Sequence, residues 1–280
     1  MKNLKDKVVV ITGAASGIGR ALAKAFAKEN CQLVLNDYDE KRLSQTASEL
    51  QAITSQKIMT AVFDVAQKEN FDALARRVAT ELGRVDVVIN NAGVALGRVS
   101  VEAMTYEDME WVMNINFWGM VYGTKSFLTL LKKQSEAALV NISSVFGLVG
   151  IGHQSAYCSS KFAIRGFTES LRMEAKMDFP HVTIHTVHPG GIQTNIAKNS
   201  RWVESENSKA EKEMTVEKFE KMFITTADAA AAKILKCVKK KKSKIVIGKD
   251  GWQLDWLVRL MPEGYTGILV RELERRDLLE

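Results

Sequence analysis

The segment TGAASGIG, residues 12–19, decides the fold because it joins a β-branched apolar run to an amphipathic helical pattern. The run Val8–Thr12 predicts a buried strand, and the pattern Gly17–Glu29 predicts a helix. Glycines between a strand and a helix allow a tight turn, let the backbone approach a ligand and let the helix pack on the sheet. The first helical turn then presents free N–H groups and a positive dipole end, which suit a pyrophosphate. The segment therefore predicts a dinucleotide-binding turn in an α/β sheet.

The rest of the chain repeats the alternation of strand and helix. Further strands are expected at Gln32–Asn36, Ile58–Phe63, Asp86–Asn90, Ala138–Ser143, Val182–Val187 and Lys244–Ile247, and further helices at Glu40–Leu50, Gln67–Leu82, Tyr106–Leu131, Tyr157–Met177 and Ala227–Lys239. Most of the strands are continuous apolar runs, as expected for strands covered on both faces. The alternation implies right-handed crossovers and a parallel sheet. We therefore predict an α/β fold, a single doubly wound Rossmann domain over residues 1–280 with about seven parallel strands and helices on both faces.

The composition fits a globular enzyme and argues against several other classes. Hydrophobic residues make up 46% and charged residues 26% of the 280 residues, so wholesale disorder is not expected. The three cysteines lie far apart without a CxxC pair, which favours a reducing compartment over a disulfide framework. The sequence shows no signal-peptide pattern and no apolar run of membrane-spanning length. We expect a cytoplasmic protein.

Much of the net charge of +6 comes from the segment Lys236–Lys244, in which six of nine residues are lysine. Such a run suits anionic lipid, nucleic acid or an acidic ligand. It also closes the helical pattern Ala227–Lys239, where lysines in a last turn complement the helix dipole. We favour the helical interpretation and predict no nucleic-acid partner. No residues show metal-ligand spacing, so no metal is expected.

An acidic residue closes the second predicted strand. Asp37 lies 18 residues after Gly19, where a carboxylate would accept hydrogen bonds from adenosine ribose hydroxyls and repel the extra phosphate of NADP. Neither Ser16 nor Tyr38 supplies a cation that would bind this phosphate. An ordinary turn or N-cap role for Asp37, with nearby Asp39 doing the same, remains open. The spacing favours NAD over NADP.

Two further segments lie at the carboxyl ends of predicted strands, where open α/β sheets bind ligands. Asp64-Val65 follows the third strand, and Asn90-Asn91-Ala92-Gly93 follows the fourth. The second segment also suits plain turn chemistry. The position of both favours a role in binding a cofactor.

A candidate catalytic pair lies at the start of a helical pattern. Tyr157 and Lys161 are four residues apart, which places both on one helix face. An ammonium beside a phenol favours the phenolate and lowers its pKa, which suits acid–base work. Ser144 ends the fifth strand, and Asn116 is an amide within an apolar stretch that needs polar partners if it is buried.

Taken together, these motifs resemble those of the short-chain dehydrogenase/reductase family. TGAASGIG, NNAG, the set Ser144, Tyr157 and Lys161, and the later Pro189-Gly190 occur in the family's order, from about Val8 to about Thr194. The resemblance implies an oxidoreductase that interconverts an alcohol and a carbonyl with a nicotinamide cofactor, for which Asp37 favours NAD. It also implies a homodimer or homotetramer.

The resemblance assigns roles to individual residues. Tyr157 would exchange a proton with the substrate oxygen, while Lys161 would lower its pKa and hold the nicotinamide ribose. Ser144 would bind the carbonyl or alkoxide, Asn116 would fix a water in a proton relay, and Thr194 would bind the carboxamide. The implied cofactor-binding set is Gly13, Ser16, Gly17, Ile18, Gly19, Asp37, Asp64, Val65, Asn91, Ala92, Gly93, Tyr157, Lys161, Pro189, Gly190, Ile192 and Thr194.

The substrate pocket is expected to be mostly apolar. Its predicted walls are Val145–Gln154, Val94–Leu96 and a polar insertion, residues 192–224, that resembles the family's substrate lid. Phe146, Leu148, Val149 and Ile151 favour a hydrophobic substrate, with His153 and Gln154 as possible polar contacts. The same side chains would also suit simple packing on the sheet. The segments Asn-Ile-Ser-Ser-Val-Phe-Gly at 141–147 and His-Pro-Gly-Gly-Ile at 188–192 resemble those of bacterial family members associated with lipid-like alcohols, aldehydes or ketones.

The C-terminal extension, residues 249–280, is longer than the family core requires. Its Trp252, Trp256 and Leu260 belong to an amphipathic pattern that is broken by Pro262 and Gly264. It suits packing within the chain or against a second subunit, an apolar pocket mouth, or a peripheral membrane contact. Subunit packing is favoured.

Two other functions compete with the NAD-dependent enzyme. A non-catalytic NAD-binding sensor or scaffold would share the fold, but it would have no need of all four candidate catalytic residues. An NADP-dependent carbonyl reductase is disfavoured by Asp37.

Overall fold

Seven parallel strands form the central sheet. A computed structural model of the chain describes residues 1–202, 217 and 223–275. The strands of the sheet are β1 Val8–Thr12, β2 Gln32–Asp37, β3 Ile58–Val62, β4 Val87–Asn90, β5 Ala137–Ile142, β6 Val182–Pro189 and β9 Lys244–Ile247, and two short strands, β7 Ile192–Gln193 and β8 Thr225–Thr226, pair separately. The order across the sheet is β3-β2-β1-β4-β5-β6-β9. The predicted seven-stranded Rossmann fold is confirmed.

Helices follow nearly every strand of the sheet, as the sequence pattern predicts. They are α1 Gly17–Lys28, α2 Glu40–Gln51, α3 Lys68–Leu82, α4 Tyr106–Met113, α5 Gly119–Lys132, α6 Ser155–Asp178, α7 Ala227–Lys239, α8 Lys249–Leu260 and α9 Tyr265–Arg275. Lys236 and Lys239 lie in the last turn of α7, as the dipole argument expects. Among the described residues, no helix has the length and hydrophobicity needed to cross a membrane.

The side chains of β1 show why its sequence is a continuous apolar run. Val9 and Ile11 belong to one buried cluster, with α1 and α7, whereas Val8 and Val10 belong to another, with α3, α5 and α6. Successive side chains of a strand point to opposite faces, so a strand with helices on both sides needs apolar residues at every position. Burial on both faces therefore fixes this strand in the middle of the sheet.

The strand order reverses beside β1, and this places the ligand-binding edge. β1 pairs with β2 on one side and with β4 on the other, in both cases parallel. In open α/β sheets the crevice at such a switch point, outside the carboxyl ends of the strands, is where ligands bind. Gly13, Asn91 and Ser144 all follow carboxyl ends of these central strands.

One predicted helix is wrong as a single regular element. The pattern Tyr106–Leu131 forms α4, a π-helical turn at Asn114–Trp118 and then α5. Single π-turns inside helices often mark functional sites. Close packing accompanies the turn, because a Cβ at Gly119 would lie 2.8 Å from the Val65 side chain.

The structure describes both ends of the insertion and the extension as far as residue 275. β7 and β8 pair in parallel and bring residues 192–193 and 225–226 together. Residues 203–216 and 218–222 lie outside the described residues, so the substrate lid stays a prediction. The extension forms α8 and α9, and the break between them contains Pro262 and Gly264 as the pattern predicts.

Candidate active site

The glycine-rich turn adopts a backbone that only glycine tolerates well at two positions. Gly13 has φ +64° and Gly17 has φ +51°, both in the left-handed region. Gly19 is required for a different reason, since a Cβ there would lie 2.0 Å from the carbonyl oxygen of Gly13. α1 therefore packs directly on the turn, as the sequence predicts for a dinucleotide-binding site.

Asp37 braces this turn from the end of β2. Its Oδ2 accepts a hydrogen bond from the Ala15 amide at 2.9 Å, and its Oδ1 accepts one from the Asp39 amide at 3.1 Å. The N-cap of α2 is Asp39, which accepts from the Arg42 amide at 3.0 Å. Asp37 is therefore not the N-cap of that helix, and its buried carboxylate lies against the glycine-rich turn.

The N-terminus of α1 keeps its amides free of side-chain caps. Ser16 is the N-cap residue, and its side chain makes no capping hydrogen bond. Thr194 lies over this end of the helix, because a Cβ at Gly17 would be 3.2 Å from the Thr194 Cγ2. The structure thus brings together two predicted cofactor-binding segments that are far apart in the sequence.

The Asn91 loop is tied to the same turn. The Asn91 Nδ2 donates to the carbonyl oxygens of Thr12 at 2.9 Å and Gly13 at 3.2 Å. The amides of Asn91 and Ala92 donate to the Thr12 Oγ1. Asn90 instead points into the sheet, where its Nδ2 donates to the Asn141 Oδ1 at 2.8 Å.

Asp64 and Val65 have local roles that the sequence does not separate. The exposed Asp64 closes its own turn, with its Oδ1 accepting from the Ala66 amide at 2.9 Å. Val65 is buried and packs against Gly119 of α5. Their place in a cofactor site stays a prediction.

Tyr157, Ser144 and Lys161 meet at the carboxyl end of β5. The Ser144 side chain lies close enough to the Tyr157 hydroxyl to favour the phenolate and lower its pKa. The Lys161 Nζ lies 5.4 Å from the centre of the Tyr157 ring and donates to the Ile142 carbonyl oxygen at 3.3 Å. The Ser144 Oγ accepts a hydrogen bond from the Phe146 amide at 3.1 Å, which orients the hydroxyl. The three predicted catalytic residues therefore share one site.

Burial dominates the protonation of both titratable groups in this site. Desolvation raises the pKa of Tyr157 to about 12, although the Ser144 side chain works in the opposite direction. Burial lowers the pKa of Lys161 to about 8, because the interior disfavours its charge. The sequence-based expectation that Lys161 lowers the pKa of Tyr157 stays a prediction, while the net shift of this pKa is upward because the phenol is buried.

Asn116 has its side-chain amide protons engaged by the protein. Its Nδ2 donates to the Val94 carbonyl oxygen and to the Ser160 Oγ, each at 3.0 Å, and its Oδ1 accepts from the Val94 amide at 2.7 Å. The Ser160 Oγ in turn donates to the Tyr157 carbonyl oxygen at 2.8 Å. Asn116 thus connects the π-helical turn to α6, and only a lone pair of its Oδ1 is left to hold a water.

Gly93 brings Asn116 and Lys161 to one point. A Cβ at Gly93 would lie 3.2 Å from the Asn116 Oδ1 and 3.3 Å from the Lys161 Nζ. Gly93 therefore has no side chain at the point where the Asn116 amide and the Lys161 ammonium approach the loop. All four predicted catalytic residues are joined through these contacts.

Two residues of the site escape sequence reasoning. Asp250 of α8 accepts a hydrogen bond from the Gly191 amide on its Oδ2 at 2.6 Å. The buried His188 donates through its Nδ1 to the Ser144 carbonyl oxygen at 2.9 Å, and burial lowers its pKa to about 4. Asp250 follows the carboxyl end of β9, and His188 lies at the carboxyl end of β6. This position at the ligand-binding edge is the signal that the sequence offers for both residues.

An apolar wall stands beside the tyrosine. The ring of Phe146 meets that of Tyr157 edge-on, with centroids 6.2 Å apart and an angle of 88° between the planes. Leu148 and Val149 are buried next to it. Gln154 is directed elsewhere, because its Nε2 donates to the Gly97 carbonyl oxygen at 3.3 Å. This loop is further held by the Gly97 amide, which donates to the Arg201 carbonyl oxygen at 2.7 Å.

The chain is similar to known proteins of one family. Residues 7–205 match the family model described as short chain dehydrogenase. The chain is 38% identical over 271 residues to SadH of Mycobacterium tuberculosis, named as an oxidoreductase, and 96% of each chain is covered.

Two solved structures share the fold. A short-chain dehydrogenase/reductase of Burkholderia phymatum in complex with NAD matches with a TM-score of 0.84 and 26% identity, covering 94% of this chain and 96% of the other. An alcohol dehydrogenase of Thermococcus sibiricus, complexed with 5-hydroxy-NADP, matches with a TM-score of 0.71 and 24% identity, covering 87% of this chain and 96% of the other.

Proposed function

The chain belongs to the short-chain dehydrogenase/reductase family, and from this premise we propose that it is an NAD(H)-dependent oxidoreductase that interconverts an alcohol and a carbonyl. The single observation that carries the proposal is the contact of Tyr157, Ser144 and Lys161 at the carboxyl edge of the sheet. This edge also holds the glycine-rich turn. The candidate acid–base group and the candidate dinucleotide-binding turn therefore lie at the same edge of the sheet.

The residues of the crevice fit a nicotinamide dinucleotide. The uncapped N-terminus of α1 suits a pyrophosphate, because free amides and the dipole both favour an anion. The absence of side chains at Gly13 and Gly19 lets the Asn91 loop and α1 pack directly on the turn, which fixes the backbone that would bind the ligand. The buried Lys161 ammonium has a carbonyl partner at 3.3 Å and donors to spare for ribose hydroxyls. When bound, the nicotinamide would supply or accept the hydride.

The protein's own part in the reaction is to bind the substrate oxygen and move a proton. Ser144 and Tyr157 would both hydrogen-bond this oxygen, and the Tyr157 hydroxyl would donate its proton during reduction and recover it during oxidation. A phenol with a raised pKa is protonated at neutral pH, which suits donation. A cofactor that brings positive charge and excludes water would strengthen the influence of Lys161 on the phenol.

Asp37 supports NAD rather than NADP as the cofactor. Its buried carboxylate stands at the end of β2 with Oδ1 and Oδ2 engaged by backbone amides, and each oxygen keeps a lone pair for a ribose hydroxyl. A phosphate at the same place would face a fixed negative charge. The two solved structures carry different cofactors, NAD in the Burkholderia phymatum protein and 5-hydroxy-NADP in the Thermococcus sibiricus protein, so the choice of NAD rests on Asp37.

An apolar substrate is the class that the pocket wall favours. Phe146 stands edge-on to Tyr157, and Gln154 is engaged by the Leu96–Gly97 loop rather than directed to a ligand. Within the described part of this wall, the Gln154 amide is therefore not directed towards a polar substrate. A lipid-like alcohol, aldehyde or ketone would meet this wall without unpaired polar atoms.

We also propose that the protein acts as a homodimer or homotetramer in the cytoplasm. Trp118, the last residue of the π-helical turn, is 43% exposed and stacks on Tyr122 of α5. Phe162 of the neighbouring α6 is 41% exposed. Exposed aromatic residues on adjacent helices are typical of subunit contacts.

The experiment that tests the enzyme is the substitution Tyr157→Phe. NADH binding is followed by fluorescence, and turnover is measured on secondary alcohols and ketones of increasing chain length. We expect wild-type turnover to rise with chain length and the variant to lose roughly 10²–10⁴-fold in rate while it still binds NADH. Equal turnover by both proteins would refute the role of Tyr157, and NADH binding without any turnover would favour a non-catalytic sensor.

A further inference from the structure

Gly191 joins three parts of the chain that are far apart in sequence. Its amide donates to the Asp250 Oδ2 at 2.6 Å, and its carbonyl oxygen accepts from the Thr225 amide at 3.4 Å. β6 ends just before it, α8 supplies Asp250, and Thr225 begins β8. Gly191 therefore connects the end of β6, the start of β8 and the start of the C-terminal extension.

The Asp250 carboxylate fills a space that two glycines leave open. A Cβ at Gly190 would lie 2.2 Å from its Oδ2, and a Cβ at Gly248 would lie 2.1 Å from its Oδ1. Gly248 also has φ +90°, which a side chain would disfavour. A second backbone bond holds the assembly, since the Gly190 amide donates to the Ile247 carbonyl oxygen at 2.9 Å. The carboxylate is thus enclosed by the backbone that it binds.

Electrostatics favour an acidic residue at this point. Asp250 lies in the first turn of α8, where the helix dipole stabilises a negative charge. A hydrogen bond from an amide to a carboxylate is shorter and stronger than one between neutral groups. The bond to Gly191 therefore resists the opening of this loop more than a neutral contact would.

The loop that Asp250 holds continues directly to Thr194. Ile192 is buried, and Thr194 packs on Gly17 at the N-terminus of α1. A displacement of Gly191 would carry both residues away from the glycine-rich turn. We propose that Asp250 is a positioning residue that holds residues 189–194 in the geometry required to bind the nicotinamide end of the cofactor. The ligand in this statement rests on the proposed function, whereas the mechanical role does not.

Amide hydrogen exchange tests the mechanical role without any ligand. In Asp250→Ala, peptides covering residues 189–194 and 225–226 are expected to exchange about tenfold faster or more than in the wild type, because the loop opens more often. Asp250→Asn keeps an oxygen acceptor without the charge and is expected to restore part of the protection. Unchanged exchange in Asp250→Ala would overturn the proposal.

Asp255 provides a matched control on the same helix. It is a buried carboxylate of α8 that binds Lys244 at 2.6 Å and Arg259 at 3.1 Å and makes no contact with Gly191. Asp255→Ala is expected to loosen α8 and β9 but to leave residues 189–194 protected. Equal acceleration of that loop in both alanine variants would overturn the proposal by showing a general loss of stability.

NADH titration then tests the link to the cofactor. The NADH dissociation constant is expected to rise about tenfold in Asp250→Ala and to stay within about threefold in Asp250→Asn and Asp255→Ala. Faster exchange with unchanged NADH affinity would refute the link. A wild-type protein that binds no NADH would defeat the proposed function, and the exchange comparison alone would then decide the role of Asp250 at the loop.

Discussion

The Asp37 carboxylate and the Ala15 amide are joined by a hydrogen bond of 2.9 Å, which ties the end of β2 to the glycine-rich turn. One acidic residue therefore has two consequences at once. It fixes the conformation of the turn, and it places a negative charge beside the adenosine end of the proposed site. These two effects can be separated because the amide of asparagine keeps an acceptor oxygen while it loses the charge.

Cofactor preference should respond to the charge of Asp37. We expect Asp37→Asn to keep NADH affinity within about tenfold of the wild type and to improve NADPH affinity, so that the preference for NADH shrinks by about tenfold or more. Asp37→Ala should weaken the binding of both, because the turn also loses its brace. Fluorescence titration with each cofactor measures this.

Asp39→Ala is the control for the loss of a carboxylate near the glycine-rich turn. It removes the N-cap of α2, so it should cost about 1 kcal/mol of stability without changing the cofactor preference. An unchanged ratio of NADH to NADPH affinity in Asp37→Asn would show that the carboxylate does not select the cofactor.

The buried ammonium of Lys161 should destabilise the free protein at neutral pH. Its pKa is about 8 in the folded chain against 10.5 when unfolded, so burying the charge costs about 3 kcal/mol below pH 8. We expect Lys161→Met to raise the free energy of unfolding by about 1–3 kcal/mol at pH 7, while turnover falls. The advantage should fade as the pH rises from about 8 to 10.5, because the unfolded chain then loses its proton too.

Urea unfolding at pH 7 and pH 10 measures this difference. Lys125→Met, at a position on α5, serves as the control and should change the free energy of unfolding by the same amount at both pH values. An advantage of Lys161→Met that stays constant across this range would mean that the buried ammonium does not carry the cost.

Much of the sheet and of the site can be predicted from the sequence because local patterns determine them. β1 is apolar at every position because both of its faces are covered, and the glycine turn follows it directly. Tyr157 and Lys161 share a helix face because they are four residues apart. In each case, the relevant physics acts within one element or between neighbouring elements.

The parts that escape prediction depend on contacts between distant residues. The π-helical turn accompanies the bonds of Asn116 with Val94, 22 residues away, and the bond of Asp250 to Gly191 spans 59 residues. The pKa of Tyr157 is likewise set by burial, which spacing on a helix does not reveal. Side-chain periodicity carries no information on these three features.

The free energy of unfolding should fall at acidic pH because His188 is buried in its neutral form. Burial lowers its pKa to about 4, whereas the unfolded chain takes up a proton near pH 6.5. The unfolded state therefore binds more protons between these values, and stability is lost as the pH falls from about 6.5 to 4. We expect His188→Asn to lose less stability over this range than the wild type, as measured by urea unfolding at pH 7 and pH 4.5.

His181 offers a matched control for this effect. Its Nε2 also bonds a backbone carbonyl, that of Lys132 at 2.9 Å, but near the surface. His181→Asn should follow the wild-type acid profile. An acid profile of His188→Asn that matches the wild type would assign the acid sensitivity to other groups, of which the buried His185 is the first candidate.

The exposed face of α8 should take part in subunit contact. Trp252 and Trp256 are 49% and 57% exposed and lie one turn apart, a large apolar surface for a soluble helix. We expect the double variant Trp252→Gln, Trp256→Gln to form smaller oligomers in light scattering, while Met173→Gln, Met177→Gln, an equally spaced and exposed pair on α6, does not. If the oligomer persists and the wild type instead binds anionic vesicles in a tryptophan-dependent way, the face is a membrane contact, since interfacial tryptophans anchor helices to bilayers.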